Sequence, residues 1–139
     1  MVARGRHHSV SALLGLALLA MAASACNESP PDNTTLHADA TSGRADEVTA
    51  RGRVVDILAD SGGADRAHER FRIDVGQGLV VEIDHNLELA RRVPVRVGDT
   101  VTVHGQFEPD PGHPVIHYTH HRTGRHEGGW IERDGERYE

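Results

Sequence analysis

From Glu47 onward the chain alternates apolar and polar positions with the two-residue period of strands that bury one face. Val48 to Leu58 is rich in β-branched residues and is interrupted by Gly52, which in such a run predicts a bulge or sharp bend. Asp60-Ser-Gly-Gly63 breaks the chain. Arg70 to Val75 sets Phe71, Ile73 and Val75 against Arg70, Arg72 and Asp74, and a tight turn follows at Gly76-Gln-Gly78. Leu79 to His85 then places Leu79, Val81 and Ile83 inward, with His85 extending that set, and Val80, Glu82 and Asp84 outward. Asn86 can cap a short helix through Leu89, Ala90 and Arg92, which must end before Pro94. Gly98-Asp99 opens a fourth strand in which Val101, Val103, Gly105 and Phe107 alternate with Thr100, Thr102, His104 and Gln106. After the loop from Pro109 to Pro114, Val115 to Thr119 reads as a fifth strand. Asp134-Gly135 signals a type I′ hairpin that sets Ile131 opposite Tyr138, with Trp130 at its base.

Five strands, a glycine irregularity in the first and a short helix between the third and fourth predict an all-β fold. The expected architecture is a small five-stranded OB-fold-like Greek-key barrel with a C-terminal β-hairpin, and an open β-sandwich is the alternative. The 139 residues leave room for one domain with one small core. That domain is expected to span 47–139.

What precedes it has a different character. Arg4 and Arg6 begin a positive segment, Val10 to Met21 is a nearly uninterrupted apolar run, and Ala23-Ser-Ala25 offers the small residues of a cleavage site, so 1–25 reads as a signal peptide. The run is too short for a membrane-spanning helix. Cys26, the sole cysteine, follows directly. Ala-Ser-Ala-Cys resembles the lipobox of bacterial lipoproteins, although leucine is usual where Ala23 stands, and the resemblance implies a lipidated amino terminus at Cys26. A free thiol on a soluble secreted chain is the alternative. From Asn27 to Asp46 the chain is mostly Pro, Asn, Asp, Ser, Thr, Ala and Gly, with Leu36 almost the only large apolar residue, so 26–46 is expected to be a disordered tether. The expected location is the periplasmic side of the cell envelope, at the outer membrane, with a soluble secreted form as the alternative.

Charge narrows the partners. All fifteen basic residues are arginine, and the formal charge of −6 becomes about −8 once Arg4 and Arg6 leave with the signal. A generally acidic surface disfavours nucleic acid, whose phosphates need clustered positive charge. The chain is read as a monomer that meets a membrane through its lipid, and a small ligand, a glycan or an envelope protein through its folded part.

Candidate chemistry gathers in Val115-Ile-His-Tyr-Thr-His-His121 and His126-Glu-Gly-Gly-Trp130, which hold four of the eleven histidines and the only tryptophan. On a regular strand His117 and His121 would share one face at roughly 13 Å, too far apart for two rings to reach one ion at about 2.1 Å, and His120 would lie on the other face. A metal site therefore needs a bend near Thr119, or ligands contributed from elsewhere in the chain. Its candidate ligands are His85, His117, His120, His121 and His126, around zinc or another divalent transition metal. His85 should sit at the barrel mouth, where burial against a backbone carbonyl is the plainer reading, and Glu82, Asp84 and Glu88 around it could orient an imidazole. His68 and His104 read as surface residues. The same region without metal would be a ligand-binding or structural cluster of His85, Asn86, His117, Tyr118, His120, His121, His126 and Trp130. No phosphate loop, dinucleotide fingerprint or nucleophile elbow occurs, and no catalytic residue can be assigned.

The blocks His68-Glu-Arg-Phe71, His85-Asn-Leu-Glu-Leu-Ala90, Gly98-Asp-Thr-Val101, Val115 to His121 and His126 to Trp130 resemble, in order, those of a bacterial family catalogued as domain of unknown function 3465. The resemblance covers about Gly52 to Tyr138 and implies no activity. The chain departs from the family's pattern at His113-Pro114, Tyr118 and Arg122-Thr123, and the last change removes an acidic residue that could have served as a ligand. Two functions remain: an envelope binding module of unknown ligand with a His-rich, Tyr- and Trp-containing surface, and a metal-dependent, zinc-type hydrolase built on the histidines. Strand geometry favours the first.

Overall fold

The computed structural model describes residues 31–63 and 66–139; the expected signal segment and Cys26 lie outside them. The alternation becomes seven strands: β1 (Asp46–Ile57), β2 (His68–Asp74), β3 (Val80–Asn86), β4 (Thr100–Glu108), β5 (Val115–His117), β6 (Trp130–Arg133) and β7 (Glu136–Tyr138). Their order is β1-β2-β3-β5-β4-β6-β7, and β1 also pairs with β4. That extra pairing closes β1 to β5 into a barrel, with β3 and β5 parallel and the other neighbours antiparallel. The fold is the expected all-β, OB-fold-like barrel with a C-terminal hairpin. Asp134 and Gly135 both take positive φ, 53° and 80°, and Ile131 faces Tyr138 across the turn.

The inward sets form the core. Phe71, Ile73, Val81, Ile83, Val101, Val103 and Phe107 are wholly buried, joined by Ala50, Val54, Ile116 and Ile131. β4 shares one of its edges between two partners, pairing with β5 at Gln106–Glu108 and with β6 at Val101–His104. Gly105 stands at the changeover, where a Cβ would collide with the His117 carbonyl oxygen.

Four local expectations are corrected. Asn33 to Ser42 is not a loose tether: the helix α1 (Thr34–Ser42) docks on the barrel, because Leu36 enters the core and the Asn33 amide bonds Arg51 N and O and Val75 O at 2.8–3.0 Å. One apolar anchor and one bidentate amide outweigh the polar composition. The bulge in β1 falls between Val54 and Asp56, not at Gly52, where Asp74 O would lie 2.8 Å from an added Cβ and β2 simply passes too close for a side chain. Between β3 and β4 there is no helix. Asn86 closes a single turn by accepting from Glu88 N through its side chain and from Ala90 N through its carbonyl. The chain is then drawn away: Arg91 O accepts from His85, and Val93 N donates to the buried Glu69 carboxylate. Finally, Glu82 points out of the barrel as expected yet is only 3% exposed. Arg70, Arg72 and His113 cover it at 2.6, 3.5 and 3.0 Å. Burial pushes the Glu82 carboxyl up, but the hydrogen bonds and charges of Arg70 and His113 outweigh it and hold it below the usual range.

Phe71→Ala removes a fully buried ring from this core and should cost about 3–5 kcal/mol in chemical denaturation; a change within error would mean that the β2 face does not carry the barrel.

Candidate functional site

The site begins where β5 stops. Tyr118 takes a left-handed backbone, φ 55°, a conformation that is costly for an aromatic residue, and the strand ends at His117, two residues sooner than the sequence suggests. Gly129 packs on this corner so closely that a Cβ there would collide with the Tyr118 and His104 carbonyl oxygens, and its N–H donates to His120 O at 2.8 Å. The bend turns Thr119 and His120 into the protein and Tyr118 out: Tyr118 is 47% exposed while His120 is 3% exposed. Strand alternation no longer decides which side chains meet.

Thr119, turned inward, meets His85. The His85 ring is wholly buried and uses both nitrogens: Nε2–H donates to Arg91 O at 3.1 Å, which leaves Nδ1 to accept from the Thr119 hydroxyl at 2.8 Å. This is the carbonyl-satisfied histidine that its inward position suggests, and neither nitrogen is free for a metal. Burial is the main cause that holds its pKa below the ordinary value.

Outside this pair lies a cavity of about 70 Å³ lined by His68, Asp84, Asn86, His117, Tyr118 and His120. Antiparallel pairing of β2 and β3 sets His68 opposite Asn86, and parallel pairing of β3 and β5 brings His117 Nδ1 to 3.5 Å from Asp84 Oδ2. His68 Nδ1 is held at 2.8 Å by Arg66 O and His120 Nδ1 at 2.9 Å by His121 O, so in the neutral rings Nε2 is the acceptor. Asp84 Oδ1 is buried without a hydrogen-bond partner. Burial pushes the Asp84 carboxyl up, but His117, His68 and Arg70 outweigh it and hold it below the usual range; burial holds His120 below its ordinary value. On the rim, His126 stacks on Tyr118 at 4.2 Å and 19° and meets His120 edge-on at 4.7 Å.

The predicted cluster is thus divided. His117, Tyr118, His120 and His126 come together, His121 stays exposed beside them, and Asn86 joins the cavity wall. Trp130 stacks instead on His104 at 5.8 Å, beneath the Arg137 guanidinium at 3.9 Å, and His104 in turn meets the Thr49 hydroxyl at 2.9 Å. Among the described residues no three His, Cys, Asp or Glu side chains converge on a metal-sized point. The five-histidine ligand set is not assembled: His85 is saturated, and His126 Nδ1 bonds Glu127 O. Sequence reading missed His68 and Thr119 as members of the site, and Asp84, read as a carboxylate that could orient the His85 ring, instead stands beside His117. A hairpin centred on Gln77 would have placed His68 opposite Asn86.

Thr119→Val strips His85 Nδ1 of its donor at nearly constant shape and should cost about 1–3 kcal/mol, with Thr119→Ser restoring most of it. Because burial keeps His85 deprotonated in the fold, the unfolded chain binds the proton that the folded chain refuses. The stability this gives is complete above the unfolded pKa of about 6.5 and is lost as pH falls through the lower folded value. Melting temperature should therefore fall between pH 7 and 5, and a flat profile would contradict a neutral buried His85.

No curated protein matches the chain. The family model described as "Protein of unknown function (DUF3465)" matches residues 17–139, taking in the barrel, the Tyr118 corner and the hairpin. Four of the five ordered blocks that suggested this kinship contribute to the cavity or its rim, and the chain belongs to that family.

Proposed function

We propose that the domain is a cell-envelope binding module, anchored at the outer membrane through a lipidated Cys26 and extending into the periplasm, which takes a small ligand, glycan or protein partner on its histidine and tyrosine face. The observation that carries this reading is Tyr118: an exposed ring kept in a strained left-handed backbone and stacked on His126, above a cavity with an unsatisfied carboxylate oxygen. Strain of this kind is retained where the surroundings over-determine it, and it clusters at ligand clamps. An exposed aromatic face beside fixed polar groups is the chemistry of a binding site. A zinc-type hydrolase on the same histidines would require several rings to leave their present hydrogen bonds.

Mapping amide shifts during titration with a panel of soluble peptidoglycan fragments, oligosaccharides, amines and dicarboxylates tests the reading. Shifts centred on Tyr118, His120 and His126 are expected, and a panel that perturbs only other faces, or none, would count against it. Addition of a chelator should leave the melting temperature of the untagged protein within about a degree; a collapse that zinc reverses would promote the hydrolase. For the anchor, Cys26→Ser should block lipoprotein processing and move any processed chain out of the membrane fraction. Unchanged membrane association would remove the lipid from the account.

A further inference from the structure

The cavity beneath Tyr118 has an unusual polarity. Its wall holds the Asp84 carboxylate, whose Oδ1 is sealed off without a partner and whose Oδ2 lies 3.5 Å from His117 Nδ1, together with His68 and His120, whose Nδ1 atoms are both tied to backbone carbonyls, leaving Nε2 lone pairs. These groups come from β2, β3 and the corner after β5, so three separate elements line the cavity. The bonds to backbone leave the Nε2 atoms of His68 and His120 as acceptors whenever those rings are neutral. A guest that donates hydrogen bonds and carries positive charge would complement a cavity lined in this way.

Three cations can be compared. A transition metal needs ligand atoms converging at about 2.0–2.2 Å, and among the described residues no such group of three exists. A guanidinium is a wide, flat fork, whereas an ammonium is a compact charge with three donors, and a cavity of about 70 Å³ suits the smaller group. Its methylene stem would leave past the rim, where the exposed Tyr118 ring, stacked on the half-buried His126, offers cation–π and apolar contact. We propose that this cavity binds a primary ammonium group, carried by a small amine or by a lysine side chain of another molecule. The chain has no lysine of its own to fill it. This inference rests on the binding-module reading and names its ligand class.

The full mature protein is titrated with n-butylammonium chloride, with sodium chloride at equal ionic strength and the neutral N-butylacetamide as controls. Amide shifts and histidine ring ¹⁵N shifts are followed. Saturable shifts in the millimolar range are expected at His68, Asp84, Tyr118 and His120 for butylammonium alone. Asp84→Asn should weaken binding by about tenfold, the loss of one charge-assisted hydrogen bond, and His68→Gln should weaken it less. The melting temperature of each variant is measured alongside, so that an unfolded protein is not read as a non-binder. Nα-acetyl-lysine amide in place of butylammonium separates the sources: tighter binding identifies a lysine side chain, equal binding a small amine. Equal response to the neutral control, no saturable shift at these residues, or displacement of butylammonium by stoichiometric zinc would overturn the proposal. Binding of a glycan or dicarboxylate at the same face, with no response to amines, would overturn it while leaving the binding module standing.

Discussion

The arrangement depends on one backbone corner. Were β5 to continue regularly past His117, side chains would alternate, and Thr119 and His120 could not both turn inward. The left-handed Tyr118 makes that possible, and two glycines hold it: Gly105, where the His117 carbonyl crosses β4, and Gly129, where the chain returns against the Tyr118 and His104 carbonyls. The Thr119 hydroxyl then locks the corner to β3 through the buried His85 ring, whose other nitrogen reaches across to Arg91 O. Strain at one residue is offset by two close backbone contacts and a fully satisfied imidazole, and the exposed Tyr118 ring is the outward consequence.

Most of the barrel was legible because its signals are local and repeated. The alternation in 70–75 and 79–85, the turn between them and the Asp134-Gly135 hairpin each fix a register without help from the rest of the chain. His85 was legible for the same reason, as the last member of an inward set. The corner was not. Nothing in Val115 to His121 marks Tyr118 for positive φ; the residues that permit it, Gly105 and Gly129, lie in other strands or loops and act through tertiary packing. His68 was placed on the surface, and Asp84 was assigned to His85 instead of His117, for a related reason, since their cavity exists only after β5 has joined β3 and the chain has bent. Helix α1 was missed because composition counted polar residues and gave no weight to one buried Leu36 and one bidentate Asn33.

Two carboxylates of the barrel strands, the outward-facing Glu82 and Glu69 on the inward phase of β2, do not stay in solvent. Glu82 is covered by arginines and a histidine from the 109–114 loop, while Glu69 bonds Val93 N, with burial raising its carboxyl. These carboxylates are matched to donors, and their roles are structural: one fastens the loop, the other the turn after β3. Asp84 stands apart from them, on the same strand yet with an oxygen left over. Among the carboxylates of the barrel strands this contrast separates the cavity from the polar packing around it, and the second buried carboxylate oxygen without a partner among the described residues, Asp39 Oδ2, lies on α1.

The central claim is that His85 is a neutral, doubly bonded imidazole that fixes the Tyr118 corner, and its ring ¹⁵N spectrum tests this most directly. The account predicts an Nε2–H tautomer that persists to pH values well below the ordinary histidine range, with a scalar or exchange signature of the Thr119 hydroxyl bound at Nδ1. A ring that is protonated near the ordinary pKa of about 6.5, or that carries its proton on Nδ1, would contradict it.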